Sequence, residues 1–255
     1  MLTTKIRSHG RPSMRGAKSL VAAIVLGALS TGCVYFDRLF APKSASPEPQ
    51  TEGGPASYPT VCLGDATASK RAIFLHGIMP NSAKALESEY LGDLTILARE
   101  GGLRLAVPRS TQACKGGPQR ACWLGNDQES IARTYQTLVR STAPCFPEGA
   151  PFGLIGFSNG GHYVGRVVMR CLKPQPAWAL TIGSAGDLMH ATSDDLGTCA
   201  PTMVLVGEKD MVKNGARLFA EALAKKKLRV QFKTYPGGHT VPYRLLRDLI
   251  SQFPH

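Results

Sequence analysis

From residue 71 onward the spacing of apolar residues switches repeatedly between two periods. Arg71–Gly77 carries the apolar run Ala72–Leu75 and Leu103–Pro108 is apolar apart from Arg104, the pattern of strands buried on both faces. Between them Leu86, Tyr90, Leu94 and Leu97 recur three or four residues apart, which predicts a helix over Ser82–Arg99 closed by Gly101 and Gly102. A second helix is predicted over Glu129–Ser141, with Ile131, Tyr135, Leu138 and Val139 turned inward. Further strands are expected at Phe152–Phe157, Trp178–Ile182, Thr202–Val206 and Arg229–Tyr235. Val164, Val167, Val168, Cys171 and Leu172 form one helical face, stopped by Pro174. Ala216, Phe219, Ala222 and Leu223 do the same within Gly215–Lys226, and Leu245, Leu246, Leu249, Ile250 and Phe253 define a terminal helix. Strands separated by single helices need crossover connections. The expected fold is therefore α/β: a mostly parallel sheet covered on both faces, with its sites at the carboxyl ends of the strands.

The first sixty residues read differently. A basic start and the apolar run Leu20–Leu29 give residues 1–32 the form of a secretory signal, too short to span a membrane comfortably. Ser30-Thr31-Gly32-Cys33 resembles a bacterial lipobox, with Leu29 one place earlier than the usual leucine. It implies lipidation of Cys33 and a membrane-anchored protein of the bacterial envelope. A plain cleaved signal or an uncleaved anchor are the competing readings. Residues 33–60 are rich in Pro, Ser, Gly and Glu and are expected to be a flexible tether, with the folded domain at 61–255.

Charge adds little. The formal net charge of +12 falls to +7 once the five basic residues ahead of Cys33 are set aside, and no nucleic-acid motif accompanies it. Six further cysteines (Cys62, Cys114, Cys122, Cys145, Cys171 and Cys199) form an even set, as disulfides in an exported protein would. Fifteen pairings are possible; Cys114 with Cys122 and Cys171 with Cys199 are the two singled out. No zinc-type spacing is present, so neither a metal nor a cofactor is expected.

The candidate chemistry sits at the strand ends. Gly156-Phe157-Ser158-Asn159-Gly160 matches G-x-S-x-G at the point where the period changes from strand to helix. A glycine-rich turn is the bland reading; Ser158 as a nucleophile raised on a tight turn is the sharper one. A serine nucleophile needs a base and an acid to orient it. His239, in Gly237-Gly238-His239-Thr240 after the last strand, is the candidate base, against a loop histidine capping a helix. Asp210 is the candidate acid, with Asp187 and then Glu208 as alternatives and helix capping as the competing role. The backbone N–H groups of Asn159 and Ile78 are the expected oxyanion donors, with Met79 beside them. Trp123 either lines a substrate pocket or is buried beside a disulfide, and His162 and His190 read as packing or surface residues.

The order Ser158, Asp210, His239, with the Ser158 turn and His76-Gly77, resembles the α/β-hydrolase family over about Arg71 to Phe253. The resemblance implies an eight-stranded sheet, of which six strands are placed. The first two are shortened, absent or near Val61. About twenty residues separate Ile182 from Thr202, too few for a lid domain, as in small lidless carboxylesterases and polymer-ester depolymerases. The implied activity is hydrolysis of small-molecule or polymeric carboxylic or thio esters through an acyl-enzyme. A serine peptidase or amidase on the same fold and a non-catalytic envelope-binding module are the alternatives.

Overall fold

The computed structural model describes residues 57–253, apart from 116, 126, 188–195 and 197. The signal segment, Cys33, most of the expected tether, His190, Asp194 and Asp195 lie outside the described residues. In chain order the strands are β1 (Thr60–Leu63), β2 (Lys70–Leu75), β3 (Met79–Pro80), β4 (Leu103–Pro108), β5 (Ala113–Cys114), β6 (Gly117–Ala121), β7 (Gly153–Phe157), β8 (Trp178–Ile182), β9 (Thr202–Gly207) and β10 (Val230–Tyr235). Helices follow at Ala83–Leu86, Gly92–Glu100, Gln128–Ser141, Asn159–Met169, Lys213–Lys225 and Tyr243–Ile250.

Seven strands form the central sheet in the order β1-β4-β2-β7-β8-β9-β10. Every neighbouring pair is parallel except β1 with β4, which is antiparallel with Val61 opposite Val107. The strand expected near Val61 thus exists, as a reversed edge, and the described sheet has seven strands rather than eight. Alternation along the strands divides two cores. Ile73, Leu75, Leu154 and Val206 face Leu138, Val164 and Phe219 from three helices on one side. Ala72, Phe74, Ile155 and Leu205 face Leu94, Leu97, Leu246 and Leu249 on the other. Burying each such aliphatic or aromatic side chain contributes about 1.5–3 kcal/mol, so both faces are held independently of the loops.

Three features depart from the sequence pattern. The stretch Ser110–Asp127, expected as a loop, contains β5 and β6, which join β3 in a small antiparallel sheet. Gly117-Pro118-Gln119-Arg120 lacks apolar alternation, so no pattern marks it. The helix expected over Ser82–Arg99 is interrupted by a π turn at Glu87–Leu91 that carries buried Tyr90. Packing also begins before the expected boundary at residue 61. Tyr58 is buried, donates its N–H to Ser141 Oγ (2.8 Å) and meets Trp123 edge-on at 5.3 Å.

All six cysteines of the domain are paired, Cys114 with Cys122 and Cys171 with Cys199 as singled out, and Cys62 with Cys145. The last link spans 83 residues and fastens the edge strand β1 to the segment after the Gln128–Ser141 helix.

Candidate active site

Ser158 stands between β7, the middle strand of the sheet, and the helix Asn159–Met169. Its backbone lies at φ 53°, ψ −115°, a conformation costing about 1–3 kcal/mol that surrounding structure must enforce. Enforcement comes from both ends of the turn. The Ser158 N–H donates to Ile182 O on β8 (2.8 Å), and Ser158 O accepts from His162 N–H (2.9 Å). A Cβ on Gly156 would run into the backbone of Gly160, and one on Gly160 into the carbonyls of Leu75 and His76. The glycines of the motif are required because three backbone segments meet here without room for side chains.

His239 and Asp210 arrive from the loops after β10 and β9. His239 Nε2 is 2.9 Å from Ser158 Oγ, and His239 Nδ1 is 2.9 Å from Asp210 Oδ2. A carboxylate only accepts, so in the neutral ring Nδ1 carries the proton and Nε2 turns its lone pair to the serine hydroxyl. The Asp210 side chain is fully buried, that of His239 is 40% exposed and Ser158 is half-buried, so the hydrogen-bond chain runs outward from a shielded carboxyl group. Asp210 Oδ1 is satisfied by the Val212 N–H (3.0 Å). The two loops are joined directly: Glu208 N–H donates to Tyr235 O (2.9 Å) and Lys209 N–H to Gly237 O (2.8 Å). The Tyr235 hydroxyl bonds the Thr240 carbonyl (2.5 Å) and lies 3.2 Å from that of Gly238, bracketing His239. Phe157 packs on the imidazole with ring centres 5.0 Å apart.

Gly183, at the end of β8, lies beneath the Asp210–His239 pair with φ 56°. An added Cβ would stand 3.1 Å from Asp210 Oδ2 and 3.1 Å from both Cε1 and Nδ1 of His239.

Opposite Ser158 is the segment His76-Gly77-Ile78. His76 is fully buried, accepts the Ser110 N–H at Nε2 (3.0 Å) and therefore donates from Nδ1 to Gly77 O (2.6 Å). Burial lowers its pKa to about 4, so the ring is neutral at physiological pH. The Gly77 N–H is taken by Tyr90 Oη (3.3 Å), whose phenol burial pushes up to about 12. Met79 is buried in β3 opposite Ala121. Among the described residues the backbone N–H groups of Ile78 and Asn159 have no protein acceptor; Asn159 follows Ser158 directly, and Ile78 follows Gly77, where an added Cβ would stand 3.1 Å from Ser158 Cβ.

A model of the family described as "Serine hydrolase (FSH1)" matches residues 67–247, a stretch holding Ser158, Asp210 and His239. The chain belongs to the serine hydrolase (FSH1) family. Among curated proteins it is similar to the Anopheles gambiae "Esterase AGAP003155", 28% identical over 138 residues. That alignment covers 49% of this chain and 51% of the relative, so the chain spans about half the length of the curated relative it matches. Among solved structures it is similar to the Bacillus cereus carboxylesterase (TM-score 0.57, 14% identity, 76% of this chain and 94% of that one). It is also similar to esterase PE8 (TM-score 0.54, 16% identity, 78% and 99%). At these identities the structural likeness speaks for the fold, the α/β-hydrolase architecture, and for that alone.

The two alternative acids lie outside the hydrogen-bond chain that Asp210 completes. Asp187 is bound to Arg166 Nε (2.9 Å), and Glu208 is exposed. His162 is part-buried with Nδ1 2.9 Å from Gly186 O, and burial lowers its pKa. Trp123 is fully buried beside the Cys114–Cys122 link, not lining an open pocket. Among the described residues no group of His, Cys, Asp and Glu is placed to hold a metal ion, and no helix is long and apolar enough to cross a membrane. Gly183 and the side chain of Asn159 were not marked for the site by any pattern, because each acts across a long sequence separation, and Tyr90 and Tyr235 were marked only as helix and strand positions.

Proposed function

We propose that the protein is a carboxylesterase-like enzyme that cleaves carboxylic or thio esters through an acyl-enzyme on Ser158. The observation that carries this reading is the continuous chain Ser158 Oγ, His239 imidazole, Asp210 carboxylate, with 2.9 Å at each junction. His239 Nε2 accepts the hydroxyl proton as Oγ attacks the ester carbon, and Asp210 stabilises the resulting imidazolium. Negative charge develops on the former carbonyl oxygen, where the N–H groups of Ile78 and Asn159 and the start of the Asn159–Met169 helix favour it. His239 then protonates the departing alcohol or thiol. Water, deprotonated by the same imidazole, releases the acid.

The tether and signal pattern support an exported enzyme held at the bacterial envelope by a lipid on Cys33, with small-molecule or polymeric esters as substrates. Three intramolecular cysteine pairs suit an oxidising compartment.

Ser158→Ala tests the reading. It should lower p-nitrophenyl ester hydrolysis by at least 10³-fold and abolish labelling by a fluorophosphonate, with no loss of thermal stability. Hydrolysis surviving the substitution would assign the chemistry elsewhere.

A further inference from the structure

Trp123 is 1% exposed and carries two N–H donors, each committed to a different wall of the Ser158 site. Its backbone N–H donates to Asn159 Oδ1 (2.7 Å), and its indole N–H donates to His76 O (3.1 Å). Asn159 contributes one of the two amides assigned to the oxyanion. His76 lies two residues before Ile78, which contributes the other. One buried residue therefore connects both donors, through its backbone and its side chain, across separations of 36 and 47 residues.

The residue is itself held on every side. Its ring packs 5.1 Å from the His76 ring, 5.3 Å from Tyr58 and 6.2 Å from Tyr163. The preceding residue, Cys122, is linked to Cys114 and accepts the Ser110 hydroxyl at its carbonyl (2.5 Å). The following residue, Leu124, donates its N–H to Gln112 Oε1 (2.9 Å). Asn159 occupies the first helical position, where its amide side chain has solvent and local backbone available. It reaches across to Trp123 instead.

We propose that Trp123 is a positioning residue that sets the spacing and aim of the two oxyanion amides, acting through the Asn159 side chain and the His76 carbonyl. The inference rests on the reading of Ser158 as nucleophile. An oxyanion donor accelerates the reaction only while it points at the oxygen of the transition state, and peptide planes in loops rotate readily unless a neighbour fixes them. Complete loss of one donor costs about 10²–10³ in kcat. Loosening one of them without deleting it should cost less, about 10–100-fold.

Trp123→Phe keeps an aromatic ring and the backbone donor but removes the indole N–H. Asn159→Ala, at a part-buried helix start, removes the other tether. Both are made in the full chain and assayed with p-nitrophenyl esters beside an alkyl trifluoromethyl ketone, whose Ser158 adduct carries an oxyanion. The expected result is a 10–100-fold fall in kcat in each variant, with KM changed less than about threefold. Ketone affinity should weaken by the same factor as kcat/KM falls, with the unfolding temperature within a few degrees of the parent. Wild-type kcat/KM in either variant overturns the proposal, as does a fall in kcat that leaves ketone affinity intact or simply follows lost stability. Turnover by the parent protein, and its loss in Ser158→Ala, is measured first. An inert parent would overturn the nucleophile assignment; an active parent with undiminished variants would overturn only the role of Trp123.

Discussion

Protonating His76 should destabilise the folded protein over a pH range where surface carboxylates still hold their charge. Its Nε2 accepts the Ser110 N–H, so a second ring proton has nowhere to go, and the ring is fully buried. The folded pKa of about 4 lies below the unfolded value of 6.5. In the window between them the unfolded chain binds the proton and the folded chain does not. Stability from this group is therefore complete above about pH 6.5 and is lost as pH falls toward 4. The full difference is roughly 3 kcal/mol, of which about 2 kcal/mol disappears between pH 7 and pH 5. His162, also lowered by burial, acts in the same direction. His76→Asn offers an amide donor to Gly77 O and an acceptor to Ser110 but cannot titrate. Urea unfolding with disulfides intact, followed by tryptophan fluorescence from pH 7.5 to 4.5, separates the two proteins. The parent midpoint should fall on the order of 1 M urea further than that of His76→Asn over this range. Parallel pH profiles would refute the argument that the ring is held neutral by burial.

Two other outcomes are sharp enough to measure. Gly183→Ala forces a left-handed backbone onto alanine, costing about 1 kcal/mol, and presses on the Asp210–His239 pair. It should lower kcat at least tenfold with little change in KM, and undiminished turnover would show that the pair tolerates displacement. If Cys33 carries the lipid, an alkynyl fatty acid fed to an expressing bacterium should label the parent protein and not Cys33→Ser. Equal labelling of both would remove the proposed anchor.

The sheet was legible because β2, β4, β7, β8 and β9 each carry a run of apolar residues, such as Ala72–Leu75 and Leu105–Val107, as strands buried on both faces do. Ser158 was legible because a glycine-flanked serine coincides with a change of hydrophobic period. Asp210 and His239 followed from chain order and from lying just past strand ends. What stayed hidden is what the chain does across distance. Nothing near Trp123 in sequence reveals that its indole reaches His76, and nothing near Gly183 reveals the Asp210–His239 pair above it. The small sheet of β3, β5 and β6 was hidden for another reason: its strands are held by pairing and by the Cys114–Cys122 link, with almost no buried alternation to read.

Tyr58 decides where this domain can be severed from whatever precedes it. Its ring leans on Trp123 and its amide is tied to Ser141, so the residue is a wedge in the scaffold behind Ser158. A protease that trims the chain ahead of it would leave the packed domain intact. One that cuts a few residues later would remove the wedge, and with it a support of the Trp123 ring that bonds the His76 carbonyl.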